Sequence, residues 1–337
     1  MSKIICIYHR VDLDGWMSAA IVKHWFKEKN KEKGYIINGA KRNRGPYVLV
    51  ESIDFLGWHY GDEIPNLDKY DKIVMCDISF PAPLMFEIQE ESFMSDKEFI
   101  WLDHHKSAID SFEHQLEEEE LIDVPYPKGL RDTKFSACEL TWNFLFPETK
   151  MPEIVRLLGR YDCFGHKGTE EEQTVLEFQY GARQSITNYE EAYEHLIYNL
   201  YNDLADTLEI DYKTSIWNNG ISIYKYLCSE AKQTYSKAFP IILKEFTDLG
   251  FNDGSHIMRN FLCVNQERFN PINFGIDYHK DGYDGFACFW YDKGMWNFSL
   301  YNDNGEVDCS LIAKQYGGGG HKAASGFIID DLNKVIR

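Results

Sequence analysis

The sequence is poor in basic residues and has no long apolar run. Its 337 residues include 35 Lys and Arg against 54 Asp and Glu, which gives a formal net charge of -19 and an isoelectric point near 5.0. Since a nucleic-acid backbone is bound mainly by Lys and Arg, this balance argues against long duplex DNA as a partner. The run of about 18 apolar residues that a membrane span needs is missing, so no membrane partner is expected.

The eight cysteines contain no CxxC pair, and most of them stand beside apolar residues. This pattern indicates buried free thiols in a reducing compartment rather than a disulfide framework. The sequence opens without the pattern of a secretory signal, because Met1 to Tyr8 runs directly into a polar, charged segment. We therefore expect a cytoplasmic protein.

The composition and length of the sequence predict a folded protein of the α/β class. Hydrophobic residues make up 44 % of it and aromatic residues 15 %, and its length suits two domains. We predict an N-terminal parallel-sheet domain over residues 1–205, a helical connector over 206–250, and a smaller α/β domain over 251–337.

Short apolar runs alternate with helical patterns in the first part of the chain, as in βαβ units. The strands are predicted at Ile4–Tyr8, Lys72–Cys76 and Glu98–Leu102, with a helix at Trp16–Lys29. Further helical patterns lie between Phe135 and Tyr161, from Glu171 onward, and at Asp206–Glu230. In the C-terminal part the predicted elements are strands at 261–264, 286–291, 296–301 and 324–329 and a helix at 311–316.

Acidic residues and histidines gather in four segments, three of which directly follow a predicted strand. These segments are His9-Arg-Val-Asp12-Leu-Asp14-Gly15, Cys76-Asp77-Ile-Ser79, Asp103-His104-His105 and Arg160-Tyr161-Asp162. Taken singly, each is compatible with a turn or a helix cap. Together they place carboxylates at one edge of a sheet, where cations are needed to neutralise them. Mixed carboxylate and imidazole ligands suit Mn²⁺, with Mg²⁺ or Zn²⁺ as competitors.

Four glycines, Gly317 to Gly320, precede His321 near the C-terminus. Such a segment can form a loop whose backbone N–H groups face an anion. It can equally form a helix C-cap followed by a turn, because a helix is predicted directly before it. The residues themselves leave both interpretations open.

Five of these segments resemble the motifs of a known family. YHRVDLDGWMSAAI, VMCDIS, WLDHHKS and RYD resemble the successive motifs of the DHH phosphoesterases, and GGGGHKAASGF resembles the glycine-rich motif of their DHH-associated C-terminal domain. Order and spacing are similar to those of the bacterial nanoRNases, which are oligoribonucleases, and of the 3'-phosphoadenosine-5'-phosphate phosphatases. The resemblance implies a hydrolase that cleaves phosphodiester bonds of short oligonucleotides or small nucleotides.

The resemblance also implies two divalent ions, with Mn²⁺ preferred and Mg²⁺ as the alternative. His9, Asp12 and Asp77 hold one ion in this interpretation. The second ion is held by Asp14, Asp77, His104 and Asp162, so that Asp77 bridges the pair. A metal pair of this kind activates a water molecule for in-line attack at phosphorus.

Two further residues of the third segment acquire catalytic roles from the resemblance. His105 is expected to contact the non-bridging phosphate oxygens or to protonate the leaving group. Asp103 is expected to orient His104 or His105 by accepting a hydrogen bond.

The resemblance assigns substrate binding to the C-terminal domain, through Gly318, Gly319, Gly320 and His321. The chain departs from the family at two places. Only two residues separate His9 from Asp12 where the family has three, and Ser299-Leu300-Tyr301-Asn302 stands where the nanoRNases commonly have Ser-Leu-Arg-Ser. We count Ser299 and Tyr301 among the substrate-binding residues, but Tyr301 supplies no permanent positive charge.

Several alternatives remain open at this point. Within the family they are a single-strand exonuclease, a cyclic dinucleotide phosphodiesterase and a polyphosphatase. From another class comes a nucleotide-binding regulatory protein that has the same fold but no turnover. A homodimer is also compatible with the sequence.

Overall fold

The computed structural model describes residues 3–32, 52–118, 124–203, 212–246 and 256–336. The chain divides into two compact units, Met1–Ile221 and Ser222–Arg337. The predicted domain limits near residues 205 and 250 lie outside the described residues, so this functional division stays a prediction.

The first unit consists of a parallel sheet covered by helices. Its elements, in chain order, are β1 (Lys3–His9), α1 (Leu13–Glu32), β2 (Ser52–Trp58), β3 (Lys72–Cys76), α2 (Ala82–Met94), β4 (Glu98–Leu102), α3 (Lys106–Glu118), α4 (Ala137–Leu145), α5 (Glu153–Asp162), α6 (Glu172–Ser185) and α7 (Tyr189–Asp203). A further helix, α8 (Tyr212–Tyr235), runs across the limit between the two units.

The sheet has the strand order β2-β1-β3-β4, and each adjacent pair of strands is parallel. Successive side chains of a strand point to opposite faces, and both faces of this sheet are buried. In β1, Ile5 and Ile7 pack with residues of α2 and α3, whereas Ile4 and Cys6 pack with residues of α1. This two-sided burial explains why the central strands are continuous apolar runs.

The second unit is built on a mixed sheet of order β5-β6-β7-β8-β10-β9. Its elements are β5 (Phe239–Phe246), β6 (His256–Asn265), β7 (Gly285–Asp292), β8 (Met295–Tyr301), α9 (Cys309–Gln315), β9 (Gly319–Gly320) and β10 (Ala324–Ile329). Residues of α9 pack with Phe298, Leu300 and Phe327 on one face of this sheet. Pairing of β6 with β7 is parallel, and the other pairs are antiparallel.

The predicted α/β class with two sheet regions is confirmed. Part of the predicted connector is helical, as α8, but the chain then enters β5, a strand that the sequence analysis did not predict. All eight cysteines are free, and six of them are buried. Among the described residues, no helix is both long enough and apolar enough to cross a membrane.

Candidate metal centre

The first pair of acidic residues is fixed by the tight passage from β1 into α1. His9 ends the strand, and the Asp12 carboxylate accepts the N–H of Gly15 at 2.9 Å, which caps the helix. A Cβ atom on Gly15 would lie only 2.1 Å from the His9 carbonyl oxygen. Glycine is therefore required for the helix to start directly against the strand end, and this start brings Asp12 to 2.5 Å from His9 Nδ1.

Asp77 follows β3 in a left-handed backbone conformation with a φ of 60°. Its N–H still donates to the Leu102 carbonyl at 2.9 Å, while its buried side chain faces the other acidic segments. One carboxylate oxygen, Oδ2, lies 3.6 Å from His9 Nδ1. The other, Oδ1, lies 3.4 Å from His104 Nε2. The two oxygens of a single carboxylate thus face two different histidines.

His104 lies between three carboxylates. Its Nε2 is 3.2 Å from Asp162 Oδ2 and 3.7 Å from Asp14 Oδ2, in addition to the contact with Asp77. Three overlapping groups of potential metal ligands result, and within each group the donor atoms lie within 4.8 Å of one another. The groups are His9 with Asp12 and Asp77, Asp14 with His104 and Asp162, and Asp77 with His104 and His105. The structure therefore brings all six predicted metal ligands together.

Asp14 is held by the start of α4 as well as by its own helix. Its carboxylate accepts the N–H groups of Ala137 and Cys138, both at 2.8 Å. Ser136 caps the same helix in a capping box with Glu139. Because the positive end of the helix dipole lies at this point, a buried carboxylate is stabilised there even without a cation.

The charges of the cluster are only partly balanced by the protein. Burial and the charges of Asp14 and Asp12 raise the pKa of Asp77 and of Asp162 well above the ordinary value. Asp77 Oδ2 is buried and makes no hydrogen bond among the described residues, and His9 Nδ1 lies between Asp12 Oδ2 at 2.5 Å and Asp77 Oδ2 at 3.6 Å. A buried carboxylate oxygen without a partner and mutually repelling carboxylates are what a divalent cation resolves, so the residues fit such ions.

Asp103 and His105 form a tight pair at the rim of this cluster. Asp103 is fully buried and accepts the N–H groups of His104, at 2.7 Å, and His105, at 3.1 Å, besides lying 2.7 Å from His105 Nδ1. Trp101 Nε1 donates to its second oxygen at 3.1 Å. Burial opposes the charge on His105, but the hydrogen bond and the charge of Asp103 outweigh burial and raise the pKa of His105 to about 9. The imidazole is thus cationic at neutral pH.

Two residues of the site were missed by the sequence analysis. His59 Nδ1 lies 3.1 Å from His9 Nε2, and the two imidazole rings stack with a centroid separation of 5.2 Å. The ring of Tyr60 lies 6.4 Å from that of His9, and burial raises the pKa of its hydroxyl. Both residues directly follow β2. The signal that could have found them is again a polar pair at the carboxyl end of a strand, His59-Tyr60 after Phe55-Leu-Gly-Trp58.

The glycine-rich segment of the second unit divides into two parts. Gly317 has a φ of 77° and closes α9, with its N–H donating to Lys314 and that of Gly318 donating to Ala313, as in a Schellman cap. A Cβ atom on Gly318 would lie 2.1 Å from the Gly326 carbonyl oxygen, and one on Gly320 would lie 2.7 Å from the Cα atom of Ser325. These glycines are required by the fold.

Gly319 is different, because a Cβ atom there would meet nothing within 4 Å. It pairs with Gly326, which in turn pairs with Ser299, so the three residues line one face of adjacent strands. Tyr301 lies two residues further along β8 and thus on the same face. It is half-buried, and burial raises the pKa of its hydroxyl. His321 is exposed in the turn between β9 and β10, where its N–H donates to the Ala324 carbonyl.

The chain is similar to a known domain family and to one viral protein. Residues 3–158 match the model described as the DHH family, N-terminal domain. An uncharacterized protein of Acanthamoeba polyphaga mimivirus is 23 % identical over 348 residues, covering 98 % of this chain and 69 % of the viral protein.

Three bacterial proteins are among the solved structures that the chain is similar to. An uncharacterized protein from Helicobacter pylori has a TM-score of 0.37 at 14 % identity, covering 98 % of this chain and 94 % of its own. The pGpG-specific phosphodiesterase PggH from Vibrio cholerae has a TM-score of 0.44 at 14 % identity, with coverages of 98 % and 93 %. An exopolyphosphatase-related protein from Bacteroides fragilis has a TM-score of 0.47 at 15 % identity, with coverages of 97 % and 86 %.

The match to the family model covers the elements that carry five of the six clustered ligands, from His9 to His104, while Asp162 follows it by four residues. The domain family and the acidic and histidine groups together indicate a metal-dependent phosphoesterase in general. Residues 3–158 are therefore identified as a DHH family N-terminal domain.

Proposed function

We propose that the protein is a two-metal phosphodiesterase, with Mn²⁺ as the preferred ion, that hydrolyses short oligonucleotides or small nucleotides. The observation that carries this proposal is the position of Asp77, whose Oδ2 faces His9 and whose Oδ1 faces His104. A carboxylate with one oxygen toward each donor group is suited to bridging two cations. His9 and Asp12 complete one group, and Asp14, His104 and Asp162 complete the other.

When bound at these residues, two divalent ions would supply an activated water and neutralise charge on the attacking and leaving oxygens. The protein's own contribution is to fix the ligands. Asp14 is anchored by two N–H groups of α4, and His9 is oriented by His59. Such supporting contacts hold ligands in one geometry and so lower the cost of organising the site during the reaction.

His105 is the group that we assign to the phosphate itself. It is cationic at neutral pH because Asp103 holds it, and its Nδ1 lies 3.9 Å from Asp77 Oδ1. A protonated imidazole at this distance from the bridging carboxylate is suited to binding a non-bridging phosphate oxygen or to donating a proton to the leaving oxygen. Asp103 acts as its positioning residue.

Removal of metal tests the proposal most directly. Protein treated with a chelator is expected to hydrolyse no dinucleotide, and added Mn²⁺ is expected to restore turnover. At a Mn²⁺ concentration 100 times its dissociation constant, binding to the folded state alone should also add about 2.7 kcal/mol to the free energy of unfolding. Thermal unfolding with and without Mn²⁺ measures this gain. Turnover that persists in the chelated protein would contradict the proposal.

A substrate panel separates the alternatives within the family. Dinucleotides, longer single strands, cyclic dinucleotides and polyphosphate are compared at equal concentration with Mn²⁺ present. We expect the dinucleotides and other small nucleotides to give the highest kcat/KM, since the net charge of -19 disfavours long anionic chains. If the protein binds nucleotides and Mn²⁺ but turns over none of these compounds, the nucleotide-binding regulatory alternative is favoured instead.

We assign substrate binding to the open face of the second unit, because Gly319 is the glycine of its segment that the fold itself does not require. Gly319→Val is expected to leave the free energy of unfolding within about 0.5 kcal/mol of wild type, since its Cβ atom would meet nothing within 4 Å at this exposed position. The side chain would nevertheless block the approach of substrate to the backbone, so KM should rise about tenfold or more. Steady-state kinetics and chemical denaturation measure the two effects.

Gly318→Ala is the matched comparison for that substitution. Its Cβ atom would clash with the Gly326 carbonyl, so it should lower stability clearly, whereas Gly319→Val should not. An unchanged KM in stably folded Gly319→Val would remove Gly319 from the substrate-binding face.

A further inference from the structure

A cavity of about 240 Å³ lies beside the metal centre of the first unit. It is bounded by the end of β3, the start of α2, and the first turns of α3. Its lining includes the buried apolar side chains of Phe80, Met85, Trp101 and Phe112, the buried Ser79, and the exposed hydroxyl-bearing residues Tyr60, Ser107 and Ser111. The volume is below the roughly 300–1,000 Å³ of pockets for drug-sized ligands, so it suits one planar ring system rather than a chain.

The cavity is built from the same segments that carry the metal ligands. Ser79 stands two residues after Asp77, Ser107 stands two residues after His105, and Trp101 donates from Nε1 to Asp103. Two residues of extended chain span at most about 7 Å. A base in the cavity could therefore be joined through a single sugar to a phosphate held at the metal ligands.

Tyr60 stands where the cavity meets the metal centre. It is 51 % exposed although it is a large aromatic residue, and its ring packs edge-on against Trp58 at 5.7 Å. The ring of His9 lies 6.4 Å from it and that of His59 lies 6.2 Å from it. These neighbouring rings hold the ring of Tyr60 in place. A held aromatic face that is left open at the mouth of a cavity is a surface on which a second planar ring can stack.

The charge of the lining decides between possible occupants. The cavity residues of the described chain are apolar or carry neutral hydroxyl groups, and no charged side chain lines it. A phosphate group would be poorly paired there, whereas a heteroaromatic base offers flat apolar faces together with edge donors and acceptors that serine hydroxyls can satisfy.

We propose that the cavity and the exposed ring of Tyr60 form a subsite for the nucleobase next to the phosphodiester that is cleaved. This inference rests on the proposed function, and it assigns to the first unit a share in selecting substrate. The base stacks on Tyr60 and enters the cavity, while its own phosphate lies at the metal ligands. Compounds that lack this base then lose the interaction but keep the chemistry.

The test compares a dinucleotide with abasic dinucleotides in which either base is replaced by hydrogen. Wild type is expected to prefer the intact dinucleotide over one of the abasic compounds in kcat/KM. Tyr60→Ala should lower this preference about 10- to 100-fold, mainly through KM, because one stacked base is lost. Ser111→Phe, which fills the cavity from an exposed lining position, should lower it as well, and Tyr60→Phe, which keeps the ring, should retain most of it.

Phe93→Ala provides the matched control. Phe93 is an aromatic residue of α2 with a similar exposure of 49 %, but it does not line the cavity, so its removal should leave the preference unchanged. An equal loss on intact and abasic compounds in Tyr60→Ala would overturn the proposal and indicate that Tyr60 acts on His9 instead. A preference that is unchanged in both Tyr60→Ala and Ser111→Phe would overturn it too.

Failure of the proposed function is recognised separately. If wild type hydrolyses none of the compounds, calorimetric binding of adenosine 5'-monophosphate and of ribose 5-phosphate to the Mn²⁺-loaded protein replaces turnover. Tighter binding of the nucleotide that is lost in Ser111→Phe would support the base subsite without the enzyme activity. Equal affinity for the two compounds in wild type would overturn it.

Discussion

Replacing Asp77 by Asn is expected to lower turnover by about 10³-fold or more and, at the same time, to make the metal-free protein more stable. The loss of turnover follows because the amide cannot serve as an anionic bridge between two cations, which contribute several kcal/mol to transition-state stabilisation, and each 1.36 kcal/mol is a factor of ten in rate. The gain in stability follows because the substitution removes a buried charge that Asp14, Asp12 and Asp162 repel. Kinetics with Mn²⁺ and thermal unfolding in chelator measure the two effects.

The backbone of Asp77 makes Asn the informative replacement. With a φ of 60°, the residue lies in the left-handed region of the backbone, which Asn tolerates. Ala does not tolerate this region, and placing it there costs about 1–2 kcal/mol in the free energy of folding. Asp77→Ala should therefore be inactive without the gain in stability. Asp110→Asn, which removes an exposed carboxylate of α3 paired with Lys106, should change neither turnover nor the response to Mn²⁺. Wild-type turnover in Asp77→Asn would eliminate the two-metal mechanism.

The stability gain of Asp77→Asn should depend on pH in a defined direction. Asp77 has a folded-state pKa that is raised above the unfolded value of about 3.9, so the folded wild type takes up a proton first as the pH falls. Protonation removes the repulsion, and the advantage of Asn over Asp should therefore be largest well above the raised pKa and shrink as the pH falls through it. Unfolding curves of both metal-free proteins across the acidic range test this.

The central part of the fold follows from the sequence because its strands are buried on both faces. Lys72–Cys76 and Glu98–Leu102 were predicted with the limits that the structure gives to β3 and β4. Each is an apolar run too short for a helix, and a parallel strand between two helical layers has no exposed face to interrupt that run. The acidic residues that follow them could therefore be placed at one edge of the sheet.

Three strands were missed, β2, β5 and the two-residue β9, and all three are edge strands. Such a strand pairs on one side only, and parts of its surface stay exposed. In β5, Ile241 and Leu243 are buried while Ile242 between them is 60 % exposed, and in β2, Ser52 and Asp54 are exposed. Mixed burial of this kind weakens the apolar pattern on which a strand prediction depends. Because β2 was missed, His59 and Tyr60 at its end were missed with it.

The short spacing between His9 and Asp12 in the first motif does not keep His9 away from the other candidate ligands. Only two residues separate His9 from Asp12, yet His9 Nδ1 lies 2.5 Å from Asp12 Oδ2 and 3.6 Å from Asp77 Oδ2. The spacing is accommodated because α1 starts immediately after Asp12 and Gly15 packs against the His9 carbonyl. Sequence spacing alone cannot reveal this, since it depends on how closely a helix approaches the preceding strand.

Each of the two interpretations of the glycine-rich segment describes some of its glycines. Gly317 and Gly318 close α9, as the C-cap interpretation predicts, whereas Gly319 faces open space, as a ligand loop would require. The sequence could not divide the four glycines between these roles, because the division is set by which of them β10 approaches. That approach is a tertiary contact with no local sequence signal.

Asp103→Asn is the second substitution with a large expected effect, and it acts through His105. The carboxylate accepts hydrogen bonds from Trp101 Nε1 and two backbone N–H groups besides its contact with His105 Nδ1, and an amide in its place brings two donors of its own into this fully buried position. We expect a loss of about 2–4 kcal/mol in the free energy of unfolding and a fall of roughly 10²–10⁴ in kcat, because the imidazole is no longer held or charged.

The pH profile distinguishes loss of this positioning from a general loss of structure. With Asp103 present, the pKa of His105 is about 9, so catalysis that needs the cationic imidazole should persist through neutral pH and decline only above that value. Without the carboxylate, the pKa should fall toward the ordinary value of about 6.5, and the alkaline limb of kcat should move down with it. His105→Ala should lack the alkaline limb altogether. The double variant Asp103→Asn/His105→Ala should have a turnover only slightly below that of His105→Ala, since the two residues act as a unit. The proposed role of Asp103 would be contradicted in two cases. One is that the losses in turnover of the two single variants add up fully in the double variant, and the other is that the alkaline limb stays in place in Asp103→Asn.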